Sequence, residues 1–188
     1  RTGRSRAIAL GTIGASRGVV RAKDLRVTLA PFQVALARAV DPTLPIGGTL
    51  TGKAVVSGST ASQLRISGDL VHNDVTGESH VTGSATVARG GRLPLVNADL
   101  QLLPLSLATA GRFAPAAGLR GTLTGPVSLK GPMSNLAVSA DLTTPDGGSV
   151  SARGTIDRVS APQAYDLSVT AHLFDASQVS SKVPKTSL

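Results

Sequence analysis

Through most of this chain apolar residues fall at every second position, and the three-and-four spacing of an amphipathic helix is almost absent. Across 49–57, Leu50, Gly52, Ala54 and Val56 lie on one face of an extended segment, with Thr49, Thr51, Lys53, Val55 and Ser57 on the other. The alternation continues as Leu64, Ile66, Gly68 and Leu70 against Arg65, Ser67 and Asp69, and as Val81, Gly83, Ala85 and Val87 against Thr82, Ser84 and Thr86. It returns in Leu123/Gly125/Val127/Leu129, Leu136/Val138/Ala140/Leu142, Val150/Ala152/Gly154/Ile156 and Tyr165/Leu167/Val169/Ala171/Leu173. Each segment predicts a strand with one apolar face and one face rich in Ser, Thr and Arg.

Turn chemistry separates these segments at intervals of about 10 to 15 residues, as hairpin connections do. The turns are Gly58-Ser-Thr-Ala-Ser62, His72-Asn-Asp74 with Gly77, Gly90-Gly91, Gly131-Pro132 and Pro145-Asp-Gly-Gly148. A parallel sheet would need helical crossovers of about a dozen residues between strands, and the spacing leaves room for few. The pattern predicts an antiparallel meander. Two stretches break it, Gln33–Gly47 and Ser106–Arg120. Gln33-Val-Ala-Leu-Ala-Arg-Ala-Val40 has good helix formers and stops at Asp41-Pro42, which predicts a short helix. The matching Leu105–Phe113 predicts another, each carrying the chain across the sheet between repeats.

Those repeats are explicit. Gly48-Thr-Leu-Thr-Gly52 returns as Gly121-Thr-Leu-Thr-Gly125, and Leu64, Ile66, Asp69 and Leu70 return as Leu136, Val138, Asp141 and Leu142. An Asp-Leu strand appears three times, at Asp24, Asp99 and Asp166. The unit is thus a crossover, the Gly-Thr-Leu-Thr-Gly strand and three or four more strands. Residues 1–36 form a partial repeat, 37–108 and 109–180 two full repeats, and 181–188 a polar tail or the start of the next crossover. Such an array reads as part of a longer repetitive protein, because solenoid-like repeats need neighbours or caps.

Composition narrows the function classes. Three Phe, one Tyr and no Trp or Cys leave an aliphatic apolar surface with no disulfide framework and no thiolate metal site. The net charge of +8 comes from Lys and Arg spread from Arg1 to Lys185, which fits a diffuse preference for anionic surfaces or a solubilising exterior. No apolar run reaches the roughly 18 residues of a membrane span, so a signal or anchor of the parent protein is expected outside these residues. His72, His80 and His172 are far apart and read as solvated polar-face side chains. No His-x-x-His, carboxylate pair or Ser-His-Asp set points to an enzyme, a metal or a cofactor. Gly47–Gly52 lacks the Lys-Ser/Thr of a phosphate loop. The Asp residues beside Leu, at 24, 69, 99, 141 and 166, read as facing water or blunting an exposed strand. Nucleic acid is a poor partner, since the aromatic platforms that stack bases are missing.

The succession of G-x-L-x-G, a following v-x-G turn, a strand of form L-x-V/I-x-x-D-L and an Asp-Leu strand ending in P-F/L resembles the repeats of the AsmA/TamB superfamily of bacterial envelope proteins, over roughly residues 18–176. That resemblance implies an elongated all-β antiparallel sheet curled into an open, taco-shaped groove, with short helical crossovers. It implies a parent protein anchored in the inner membrane, a periplasmic location and conduction of phospholipid toward the outer membrane. For members linked to an Omp85-type barrel it further implies support of outer-membrane protein assembly.

The residues independently suggest a groove. A closed sandwich fills its core with bulky aromatic and branched side chains, whereas these faces alternate Leu or Val with Gly and Ala, which leaves room. The expected lining is Leu50, Val56, Leu64, Ile66, Leu70, Val81, Val87, Leu100, Leu102, Leu123, Val127, Leu129, Leu136, Val138, Leu142, Val150, Ile156, Leu167 and Val169. Burying about 15 methylenes of a phospholipid acyl chain there would contribute on the order of 10 kcal/mol before binding costs. The alternative is a structural or adhesin-like β-repeat array in which the same side chains fill a dry core.

Overall fold

The computed structural model describes residues 5–39, 44–90, 93–112, 115, 118–157, 159 and 164–182. Ten strands form one sheet: β1 (Ala7–Ser16), β2 (Val19–Gln33), β3 (Thr49–Ser59), β4 (Gln63–Asp74), β5 (Gly77–Gly90), β6 (Leu93–Ser106), β7 (Thr122–Pro132), β8 (Leu136–Thr143), β9 (Ser149–Asp157) and β10 (Ala164–His172). Their spatial order is their sequence order, and each is antiparallel to its neighbour. Strands make extended contact only with those neighbours, and β1 does not meet β10, so the sheet is open.

No second layer covers it. The chain exposes 11670 Å², where a compact protein of 18.9 kDa exposes about 8,300 Å². A sheet of alternating faces without a partner sheet leaves its apolar side in reach of solvent, and the excess surface is the result. The aliphatic residues that a sandwich would bury are mostly half-exposed.

The two stretches that break the alternation both carry short helical pieces, and a third follows β10. A 3-10 turn at Val34–Ala39 follows β2, a short helix α1 (Leu107–Gly111) follows β6, and a 3-10 turn at Ala176–Gln178 follows β10. Because β2 and β3, like β6 and β7, are antiparallel neighbours, these connectors leave and re-enter at one end of the sheet and do not traverse it. The unit is therefore four strands and a connector, as β3–β6 and β7–β10, with β1 and β2 matching the last two strands of a unit.

The connectors and the intervening turns stack into a spine along that end, and the tightest packing of the molecule lies there. His72, on β4, places Nε2 2.6 Å from the carbonyl of Gly47 in the first connector. The β4–β5 turn then meets α1. Thr76 Oγ1 is 2.8 Å from Thr109 Oγ1, and Ser106 Oγ donates to the Thr76 carbonyl at 3.1 Å. Ser106 caps α1 by accepting from Thr109 N, and its own N–H donates to Ser79 Oγ at 3.0 Å. Further along, Arg120 Nε donates to the Ser177 carbonyl at 2.7 Å and an isolated bridge joins Leu119 to Ser180. Val34, Leu107, Leu123 and Phe174 are buried in this spine, and Ser106 is 1% exposed.

Candidate functional site

Directly opposed residues of an antiparallel pair project from the same face, so register defines each side of the sheet. One row runs Leu25, Val56, Ile66, Ala85, Ala98, Leu129, Val138, Gly154 and Leu167, a partner on every strand from β2 to β10. The next runs Val27, Ala54, Gly68, Gly83, Leu100, Val127, Ala140, Ala152 and Val169. All nineteen residues of the expected lining fall on this one face, in rows parallel to these two.

Their availability differs. Ile66 at 40%, Val87 at 42% and Val169 at 59% exposure stand open, and most of the others are half-exposed, whereas Leu102, Leu123 and Leu136 are buried and offer a ligand little surface. Where Gly68 and Gly83 oppose each other the floor sinks into a shallow hollow of about 120 Å³, lined by Ala54, Ile66, Leu70, Val81 and Leu100. The trough also extends past the expected lining. Ala22, Leu25, Val27 and Leu29 of β2 and Ile13 of β1 share the face. Sequence reasoning missed β1 because its alternation is interrupted. A bulge between Leu10 and Thr12 switches the face, so that Ile8 and Leu10 point away from the trough and Ile13 points into it.

A device that repeats in every second hairpin shapes the floor. At Gly52, φ is +130°, and a Cβ there would lie 2.1 Å from the carbonyl oxygen of Asp69 on the next strand. Only glycine lets the two backbones close to that distance, and glycine kinks of this kind curve a sheet. The same juxtaposition joins Gly11 to Asp24, Gly83 to Asp99, Gly125 to Asp141 and Gly154 to Asp166. Each odd strand thus carries the glycine and each even strand the Asp-Leu it meets. The signal was present in the sequence as five Gly and Asp-Leu pairs 12 to 17 positions apart, and the four-strand repeat conceals a two-strand one.

Four of these Asp residues face water as expected, and Asp141 is half-exposed. Among them only Asp166 lies on an edge strand, so blunting of an exposed edge does not describe the rest. Asp69 Oδ1 sits 2.6 Å from His80 Nε2, Asp24 accepts from Ser57 Oγ, and Asp141 accepts from Ser151 Oγ at 2.6 Å and Arg153 at 2.7 Å. The Ser151 hydroxyl, with Arg153 beside it, holds the Asp141 carboxyl below its usual range against a smaller opposing effect of burial. His72 also departs from the solvated reading. It is buried on the trough face, beneath the first connector, with Nδ1 unpartnered.

The spine closes one end of the trough with a polar cluster. Asp74 accepts from Thr76 N at 2.7 Å and from Thr76 Oγ1, and Arg112 Nη2 lies 3.1 Å from Asp74 Oδ2, within ion-pair range but off the line of a hydrogen bond. Burial raises the Asp74 pKa, but the Thr76 bonds, with the charges of Arg112 and His72, outweigh it and the net shift is downward.

On the opposite face a solvated hollow of about 370 Å³ lies over Pro126, whose missing N–H interrupts the β7–β8 ladder between Thr124 and Val127. Among the described residues no group of three His, Asp or Glu side chains is placed to hold a metal, and no helix is long and apolar enough to cross a membrane. The arrangement can therefore present a long aliphatic surface, continuous across the strands, to an apolar ligand. Compared with known proteins, the chain matches no family model, no curated protein and no solved structure.

Proposed function

We propose that the chain is a segment of a periplasm-spanning bridge whose apolar trough conducts phospholipid between the inner and outer membranes, as its resemblance to the AsmA/TamB repeats implies. The observation that carries the reading is the register-continuous aliphatic face from β2 to β10 with no layer over it. A face that repeats the same chemistry on every strand binds an acyl chain equally well at successive positions, which lets cargo slide without being trapped. Support for outer-membrane protein assembly through an Omp85-type barrel belongs to the same reading. The excess surface weighs against the dry-cored structural or adhesin-like array, whose side chains would be packed away from solvent.

The test is photocrosslinking from positions 66, 87 and 169 in protein expressed in a Gram-negative envelope, followed by mass spectrometry of the adducts. Phospholipid adducts at these positions, and none from position 84 or 128 on the opposite face, are expected. Equal labelling of both faces, or none on either, overturns the proposal.

A further inference from the structure

The basic residues are spread along the chain, but the charge imbalance is not. Residues 1–66 hold ten Lys and Arg against two Asp, whereas residues 67–188 balance nine against nine. The whole net charge of +8 therefore resides in the first third of the chain. The fold gathers the strands of that third at one end of the sheet and puts five of its cations on the face away from the trough. Register puts Arg26 opposite Leu10 and Val55, Lys53 opposite Thr28, and Arg65 opposite Ser57, with Arg21 and Lys23 on the same side of β2. All five are exposed, and among the described residues none makes an ion pair. Two carboxylates share the face, Asp24 bonded to Ser57 and Asp69 opposite Lys53 and bonded to His80, so five cations stand against two anions there.

The same patch carries apolar side chains that the rest of this face lacks in such company. Ile8, Leu10 and Val55 are 38%, 67% and 36% exposed and interleave with the cations. A merely solubilising face would not place them there, and β7 to β9 achieve solubility on this side with Ser, Thr and balanced charge. Cations with interspersed aliphatic side chains on a broad, shallow surface match the interface of an anionic bilayer, where headgroups meet the cations and the aliphatics enter the acyl boundary. Phe32, the Phe on these strands, opposes Leu50 on the trough face, and Tyr165 is on β10, so this patch has no Phe, Tyr or Trp ring on which a nucleic-acid base would stack.

We infer that the outer face of β1 to β4 is a docking surface for an anionic lipid bilayer, distinct from the trough and independent of what the trough carries. The test is flotation of the full chain with vesicles of phosphatidylcholine alone or with about a third phosphatidylglycerol. Binding is expected only to the anionic vesicles and declines as salt rises. Combined Arg26→Ser, Lys53→Ser and Arg65→Ser is expected to weaken it about a hundredfold, at roughly a fivefold loss per cation. Combined Arg89→Ser, Lys130→Ser and Lys182→Ser removes the same charge elsewhere and is expected to change it less than about threefold. Leu10→Ser should weaken it several-fold with its salt dependence intact.

Equal loss in the two triple variants would reduce the effect to net charge and overturn the assignment. So would equal binding to both vesicle types. A duplex DNA of about 20 base pairs that bound more tightly than the anionic vesicles would reassign the patch to nucleic acid. The trough variant Ile66→Gln should leave vesicle binding unchanged, so failure of the conduction reading is told apart from failure of this one.

Discussion

Gly52 and Gly14 are both strand glycines, yet the structure gives them opposite roles. A methyl at Gly52 would meet the Asp69 carbonyl at 2.1 Å in a backbone conformation that side chains rarely adopt, whereas one at Gly14 meets nothing within 4 Å. Gly52→Ala is expected to destabilise by more than about 3 kcal/mol, since backbone strain and a steric clash with main chain add. Gly14→Ala should fall within about 1 kcal/mol of the parent, on the stabilising side, because it restricts the unfolded chain. Urea denaturation of both variants checks the contrast, and equal effects would mean that the glycine and Asp-Leu device does not set the strand spacing. At this scale the sequence was only partly legible. The positions facing the trough followed from alternation, because period two is a property of the extended backbone itself. The burial of His72 did not, because it depends on which connector folds over β4, and that contact joins residues 25 positions apart.

Among the elements, the strands from β3 to β10 were readable because, apart from a register shift in β6 between Leu102 and Leu105, each keeps its alternation between recognisable turns. β1 was not, since one bulge at Gly11 inverts its pattern halfway. The 3-10 turn and α1 appear where the alternation lapses, and Ser106 shows why α1 begins where it does. Its hydroxyl serves the helix N-terminus and the β4–β5 turn together, so Ser106→Ala is expected to cost about 1 to 2 kcal/mol, measurable by thermal unfolding. Asp74 anchors the same junction through charge. Its pKa is lowered in the folded protein from 3.8, so its stabilisation is fully present above that pH and is lost as pH falls through the lower folded value. Protection factors in residues 104–112, which correct exchange for its intrinsic pH dependence, should fall below about pH 3.8, and Asp74→Asn should remove that step while leaving protection in β9 unaltered.

For the whole molecule, the decisive property is a single sheet with one aliphatic side open along its length. A path in series is interrupted by one obstruction, so Ile66→Arg and Val87→Arg are each expected to block lipid passage. Both residues are already exposed, so stability should change by less than about 1 kcal/mol. Undiminished transfer in both variants, followed with labelled phospholipid, would argue against a trough that conducts. The sequence pointed to an open sheet through its shortage of large aromatics, but where the packing would gather was not visible. Most of the buried residues sit in the spine of connectors, a layer assembled from segments that individually look like irregular linkers, while Ala98 and Leu136 are buried on the sheet outside it.

That spine runs along one end of the strands, while at the other end the described turns are joined sideways only by bonds such as those from Thr60 to Val20 and from Arg89 to Ser62. Among the described residues the packing between repeats therefore gathers at one rim and thins to single backbone bonds at the other, as a fan is held at its handle. On the proposed reading, the thinly joined rim is the side from which cargo would enter the trough, at any point along its length, much as a sleeve slit along one seam admits a rod.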